Sequence, residues 1–198
     1  MAISFNESET KINLMRAFAG ESQARNRYYF AAEEAKKQKL TAVEKIFIFT
    51  AEQEKAHAEV FYNHLKEFNG ENIEIDAAYP VNNTNSILEL LKSAAHNEME
   101  EYSDAYKHFA EVAEKEGFAQ IAFSFYKIAE IEKTHAERFE KVYNLLEKNN
   151  DTLAESGEYW MCLNCGHIHK GDTIPENCPV CSHNKGYFIN LSDKIALF

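Results

Sequence analysis

The sequence predicts a mainly α protein: a four-helix bundle with one long connection, followed by a small β and loop module. Three observations carry this. Helix breakers are nearly absent up to residue 150, where Pro80 is the sole proline and Gly20, Gly70 and Gly117 are the only glycines. A nine-residue phrase recurs within that stretch. All four cysteines lie outside it, between Cys162 and Cys181.

The first helix is expected from about Ser8 to Lys39. The second opens at Thr41, where T-A-V-E puts a Thr cap and Glu44 in capping-box spacing, and it stops near Asn69-Gly70. A connection, ENIEIDAAYPVNNTN, follows. The third helix opens at Ser86, with Glu89 in the same spacing, and ends at Gly117; the fourth runs from Phe118 to about Lys148. Helices of about 30 residues span about 45 Å at a rise of 1.5 Å per residue. Two helical hairpins joined by a crossover make the bundle, residues 1–150. Residues 151–157 read as a linker. Residues 158–198, with Gly166, Gly171, Gly186 and two prolines, form the second module. A module of that size buries too little surface to stand without a staple.

The chain has 198 residues, 45% hydrophobic and 27% charged, so it is neither disordered nor membranous. Its net charge is −11, of which residues 151–198 carry −3 and the first 150 carry −8. A nucleic-acid partner needs a basic face, and none is expected. No apolar run reaches the roughly 18 residues of a membrane span. MAISFNESET lacks the basic and apolar pattern of a secretory signal, so a cytoplasmic location is expected.

The repeated phrase is AEQEKAHAE at 51–59 and AEIEKTHAE at 129–137; seven of nine letters agree. Each copy holds Glu-x-x-His, Glu54 with His57 and Glu132 with His135. Residues i and i+3 share a helical face, so each pair addresses one point. Depth in the bundle brings in further carboxylates. Counting from Gly117, His135 lies 18 residues after and Glu98 lies 19 before; Glu132 lies 15 after and Glu101 lies 16 before. Counting from Lys39, Glu21 lies 18 before and His57 lies 18 after. Phe47, Thr50, Ala51 and Ala58 surround the first pair, and Phe125, Ile128, Ala129 and Ala136 the second, so this stripe faces inward.

Five carboxylates in a bundle core would each cost several kcal/mol if left unpaired. Their summed charge lies between that of two ferrous and that of two ferric ions, and oxygen with imidazole donors suits iron or manganese. One Glu from each of two helices plus Glu-x-x-His from each of the other two is the donor set of ferritin-like di-iron carboxylate proteins. A duplicated helix with solvent-facing charges is the plainer alternative, but it leaves the matched depth of Glu21 and Glu98 unaccounted for. Glu52, Glu59, Glu130 and Glu137 read as solvated charges, and His64, His96 and His108 as surface or core polar groups.

In the second module, CLNC and CPVC are two C-x-x-C knuckles separated by 12 residues. Four thiolates at Cys162, Cys165, Cys178 and Cys181 hold a metal tetrahedrally, as zinc or as a single iron. Zinc would make the module structural, iron a one-electron carrier. Tyr159, Trp160, Tyr187 and Phe188 are expected around it as a small aromatic core.

With both motif sets in this order, the chain resembles the rubrerythrins over essentially its whole length. The resemblance implies a ferritin-like di-iron bundle and a rubredoxin-like module with one iron on the four cysteines. It implies a cytoplasmic non-haem peroxidase that reduces hydrogen peroxide to water in oxidative-stress defence. Electrons would come from NAD(P)H through a separate reductase or rubredoxin and pass through the rubredoxin-like iron. Glu54 and Glu132 match the bridging carboxylates. Glu21 and Glu101 match ligands of one iron, and Glu98 and His135 match terminal ligands of the other. His57 matches the histidine that replaces the Glu101-type ligand on reduction. Tyr28 and Tyr106 match tyrosines that hydrogen-bond the ligand carboxylates. A homodimer is implied, and helix exchange between subunits stays open. The alternatives are a ferroxidase or iron-handling protein, against which the appended cysteine module speaks, and a zinc-stapled binding protein.

Overall fold

The computed structural model describes residues 3–149, 153 and 159–191. The predicted linker, residues 151–157, lies outside the described residues apart from Leu153. The bundle comprises α1 (Glu9–Lys37), α2 (Thr41–His64), α3 (Ile87–Glu100), α4 (Tyr106–Glu116) and α5 (Ala119–Asn149). Helices α3 and α4 are joined by a π-helical turn, Glu101–Ala105, and together make the predicted third helix. The bundle is thus mainly α with four long rods, two antiparallel hairpins and the crossover at residues 69–86.

Local chemistry sets the ends. Ser8 caps α1 by accepting from the Lys11 N–H, and Ser86 caps α3 by accepting from the Glu89 N–H. Glu89 does not complete the box, because its carboxylate accepts from Thr84 Oγ1 at 2.7 Å. The expected Thr41 cap is not made. Thr41 is already the first helical residue, and Leu40 occupies the cap position with no side-chain bond. The α1–α2 turn is so tight, with Lys39 at φ 62° and the Leu40 N–H bonded to Ala35 O, that the second helix starts one residue early. Gly117 ends α4 at φ 92°, a left-handed position that glycine takes without a Cβ penalty, and the Phe118 N–H closes on Ala113 O.

The π turn explains a detail of the residue count. Glu98 and Glu101 each lie one residue farther from Gly117 than their partners His135 and Glu132. A π turn inserts one extra residue into a helix, and the Tyr106 N–H accordingly bonds Glu101 O, five residues back. The insertion falls between these two glutamates and Gly117, and it restores equal height.

The core is split. One apolar cluster, with Tyr28, Phe47, Leu91, Phe139 and Val142, fills the bundle toward the α1–α2 turn. A second, with Leu14, Phe61, Tyr106, Ala110 and Phe125, fills the other end. A buried polar layer lies between them.

The second module is a three-stranded antiparallel sheet: β1 (Tyr159–Cys162), β2 (Ile168–Lys170) and β3 (Phe188–Asn190), in the order β2-β1-β3. Trp160 and Phe188 are buried against Cys162 and Cys178, with Tyr187 half-buried. Tyr159 does not join them. Strand alternation sends it outward and Trp160 inward, and the Trp160 indole donates to Gly171 O at 2.8 Å.

Candidate metal centres

The polar layer contains two overlapping groups of metal-ligating side chains. Glu21, Glu54, His57 and Glu132 form one; Glu54, Glu98, Glu132 and His135 form the other, with one donor atom from each residue mutually within 4.8 Å. Helical spacing puts each Glu-x-x-His pair on one face, and all six side chains are buried.

The shared glutamates divide their oxygens. His57 Nδ1 lies 3.3 Å from Glu54 Oε2, 2.9 Å from Glu132 Oε1 and 3.8 Å from Glu21 Oε2. His135 Nδ1 lies 2.9 Å from Glu54 Oε1, 2.9 Å from Glu132 Oε2 and 3.6 Å from Glu98 Oε2. Glu54 and Glu132 therefore each send one oxygen to each group, as bridging carboxylates would. None of these close approaches has hydrogen-bond geometry: both Nδ1 atoms, both oxygens of Glu54 and of Glu132, and one oxygen each of Glu21 and Glu98 are buried without a partner. Buried polar atoms are rarely left so. A concentric set of them fits donors aimed at two common points, and hard oxygen and imidazole donors fit iron.

The electrostatics agree. Burial, then the Glu132 charge, holds the Glu21 carboxyl well above its ordinary range. Glu98 is pushed up to about 8 by burial and next by Glu54. Glu101 is also raised, by burial first and then by Glu98. Burial acts to raise Glu54 too, but the two imidazoles, His135 foremost, outweigh it and hold Glu54 low. Burial acts to lower both histidines, and the carboxylates nonetheless raise them, led by Glu132 for His57 and Glu54 for His135. This is a pocket with more negative charge than the protein alone can neutralise.

Glu101, the seventh predicted ligand, belongs to neither group. It sits on the π turn, half-buried, with Oε2 buried and unpartnered. It also lines a cavity of about 460 Å³ between α1, the crossover and α4, with Gly20, Tyr79, Asn97 and Tyr106. Tyr106 donates to Glu21 Oε1 at 2.5 Å, and Tyr28 donates to Glu98 Oε1. Both hydroxyls thus hold the oxygen that faces away from the clusters. The four flanking glutamates read as solvated are all exposed, and His64 bonds Ser124 Oγ at 3.0 Å, away from the site.

Three residues beyond the expected set support His135. Its Nε2 lies 3.1 Å from Gln53 Oε1, which also accepts from Arg138 Nη1 at 2.9 Å. Arg138 Nη1 donates to Thr50 Oγ1 as well, at 3.0 Å. Because Gln53 Oε1 only accepts, His135 must carry a proton on Nε2, and the neutral ring then presents the Nδ1 lone pair to the metal side. A signal for Gln53 was present in the sequence: it is one of two letters at which the repeat disagrees, with Ile131 in the second copy.

In the second module, the sulfurs of Cys162 and Cys181, and of Cys165 and Cys178, lie 3.7 Å apart, and all four fit one tetrahedral ion. The knuckles repeat each other. The Cys162 N–H bonds His167 O, as the Cys178 N–H bonds His183 O; Gly166 and Ser182 take matching left-handed positions at φ 75° and 62°. Cys181 is lowered to about 6, first by a backbone N–H at His183. At Cys165 a similar N–H from His167 is outweighed by desolvation and the neighbouring thiols, which push it up to about 12. Cys165 therefore holds its proton more tightly than Cys181 does.

Fold and site together define a ferritin-like di-iron carboxylate protein with an appended four-cysteine iron module. A family model described as Rubrerythrin matches residues 13–143, and one described as Rubrerythrin, rubredoxin-like domain, matches residues 160–189. Rubrerythrin of Clostridium perfringens is 42% identical over 93% of this chain and 95% of its own length. That of Nitratidesulfovibrio vulgaris is 38% identical over 93% of this chain and 95% of its own. The chain belongs to the rubrerythrin family. Among solved structures, fully reduced, all-ferrous nigerythrin superposes with a TM-score of 0.63 at 30% identity, covering 93% of this chain and 90% of that one. A Desulfovibrio desulfuricans bacterioferritin gives 0.65 at 23% identity, covering 72% of this chain and 82% of its own, a likeness of fold alone. No described helix is long and apolar enough to cross a membrane.

Proposed function

We propose that this protein is a peroxidase that reduces hydrogen peroxide to water, taking electrons from NAD(P)H through a separate reductase and then through its own four-cysteine iron. One peroxide, two electrons and two protons give two waters. The observation that carries this reading is the pairing, on one chain, of a two-metal carboxylate site with a four-thiolate site suited to one-electron transfer. The irons, when bound, supply the electrons and the Lewis acidity. With the irons bound, Glu54 and Glu132 would bridge the two positions; Glu21 and either His57 or Glu101 would complete one, and Glu98 and His135 the other. In the present geometry His57 faces the first group while Glu101 stands back on the π turn, with its carboxylate beside the cavity. In this reading that carboxylate would take and return a proton, a role its unpartnered oxygen and its place in the cavity wall support. Tyr28 and Tyr106 keep Glu98 and Glu21 oriented. Family membership supports a homodimer in the cytoplasm.

Stopped-flow mixing of the anaerobically reduced protein tests the reading. Peroxide is expected to oxidise the diferrous site far faster than O₂ does, with the four-cysteine band following. A diferrous spectrum unmoved by peroxide would sink it, and faster oxidation by O₂ with release of ferric iron would favour the ferroxidase alternative.

A further inference from the structure

The cysteine module is packed on the bundle. Ile189 of β3 is buried in the apolar cluster of the α1–α2 end, the cluster that holds Val43 and Leu146, with Met161 and Leu163 half-buried against it. Leu153, ahead of the module, is buried in the same cluster. The gap left between Leu40, Val43, Gly186 and Phe188 is about 10 Å³, at the limit for a single water.

Two contacts at this seam are specific. A Cβ at Gly186 would stand 2.2 Å from the carbonyl oxygen of Lys39, closer than any real Cβ contact, so the backbones meet where no side chain fits. Lys45 of α2 reaches across and donates from Nζ to the carbonyl of Leu163 at 3.0 Å. Leu163 lies inside the first knuckle, directly after the ligand Cys162. Lys45, Lys39 and Gly186 belong to neither metal site.

We propose that the α1–α2 turn is a dock for the four-cysteine module of its own chain, and that Lys45, held at the first knuckle by this dock, raises the reduction potential of the iron there. Iron on four thiolates carries one net negative charge when ferric and two when ferrous. An ammonium nearby, at a half-buried seam where screening is weak, stabilises the ferrous form more. The step is a one-electron change at the iron, with no bond made or broken. The potential then depends on docking: a module lifted off the turn leaves Lys45 behind and holds its electron less tightly.

The test is a mediated redox titration of the full-length, iron-loaded protein, followed at the visible thiolate-to-iron band. Persistence of that band shows that the module is folded and loaded in each variant. Lys45→Met is expected to lower the equilibrium constant for reduction at least threefold, about 28 mV for one electron at about 59 mV per tenfold. Lys45→Arg should restore it. Gly186→Ala should lower it in the same sense and widen the small-angle scattering envelope, and adding Lys45→Met to it should do nothing more. A Lys45→Met protein that titrates within a factor of two of the parent overturns the tuning. A Gly186→Ala protein with parental scattering and potential overturns the dock. Neither result bears on which oxidant the di-iron site reduces.

Discussion

The two Glu-x-x-His motifs occupy equivalent places on α2 and α5, yet their histidines are held differently. His135 is fully buried, and its outer nitrogen is tied through Gln53 to Arg138 and Thr50. His57 has no such tether among the described residues, and the position that would match Gln53 on the other helix is Ile131, which is exposed. The comparison teaches that a near-perfect sequence repeat encodes one tethered and one untethered histidine. A histidine with an anchored outer nitrogen keeps its tautomer and its direction. One without an anchor has only its packing to hold it, and Glu101, in neither group, keeps an unpaired oxygen on the π turn.

The largest expected effect would erase the difference between the halves. Glu132→Ala removes an oxygen from both groups, so iron retention should fall on the order of 100-fold at both positions. Metal analysis after dialysis against a chelator checks this; loss of only one iron per chain would show that Glu132 does not bridge. Gln53→Leu should sharpen the difference. It frees the ring of His135 and weakens iron at that position about 10- to 100-fold, leaving a protein with close to one bundle iron per chain. Equal weakening of both irons would break the comparison. Because Arg138 acts through the same Gln53 oxygen, Arg138→Met added to Gln53→Leu should cost far less than the two separate losses combined.

A pH effect of intermediate size is expected in the metal-free protein. Glu21, Glu98 and Glu101 have raised folded-state values, with Glu98 at about 8. Between the unfolded carboxylate value of about 4.3 and that point, the folded chain binds more protons than the unfolded one, so stability falls as pH rises. The raised histidines act in the same direction above about 6.5, where the unfolded imidazoles lose their protons first. Denaturant midpoints of the apoprotein should therefore drop from pH 5 to pH 8. The iron-loaded protein should show a flatter profile, since cations take over the neutralising role. A rising apoprotein profile would contradict the charge balance described for the pocket. The smallest effect is expected at the loose end: Ile131→Ala, on an exposed surface, should change stability by no more than about 0.5 kcal/mol and leave iron binding alone.

Much of this was legible in the chain itself. The Ser86 cap, the Gly117 stop and the inward stripe with its two Glu-x-x-His pairs follow from spacing within single helices, where i and i+3 share a face whatever the helix packs against; Glu21 and Glu98 needed residue counts across a hairpin, and Glu101, reached by the same count, joins neither group. The tetrathiolate site follows from two knuckles that close over a few residues. The Thr41 cap failed because it depended on how tightly the preceding turn closes. Tyr159 was misplaced because the facing of a short strand depends on register with its partners.

The sequence by itself thus determined the helices, the two Glu-x-x-His pairs and the four-cysteine set, since these rest on local geometry. Tertiary structure alone decided which oxygen of Glu54 and Glu132 serves which position. It also decided that a π turn brings Glu98 and Glu101 level with α5, that Gln53 and Arg138 lock one histidine, and where the cysteine module rests. Each of these depends on rotation and height between separate elements, to within a fraction of a helical turn. Chain spacing does not carry that precision; packing of the two apolar clusters around the polar layer does.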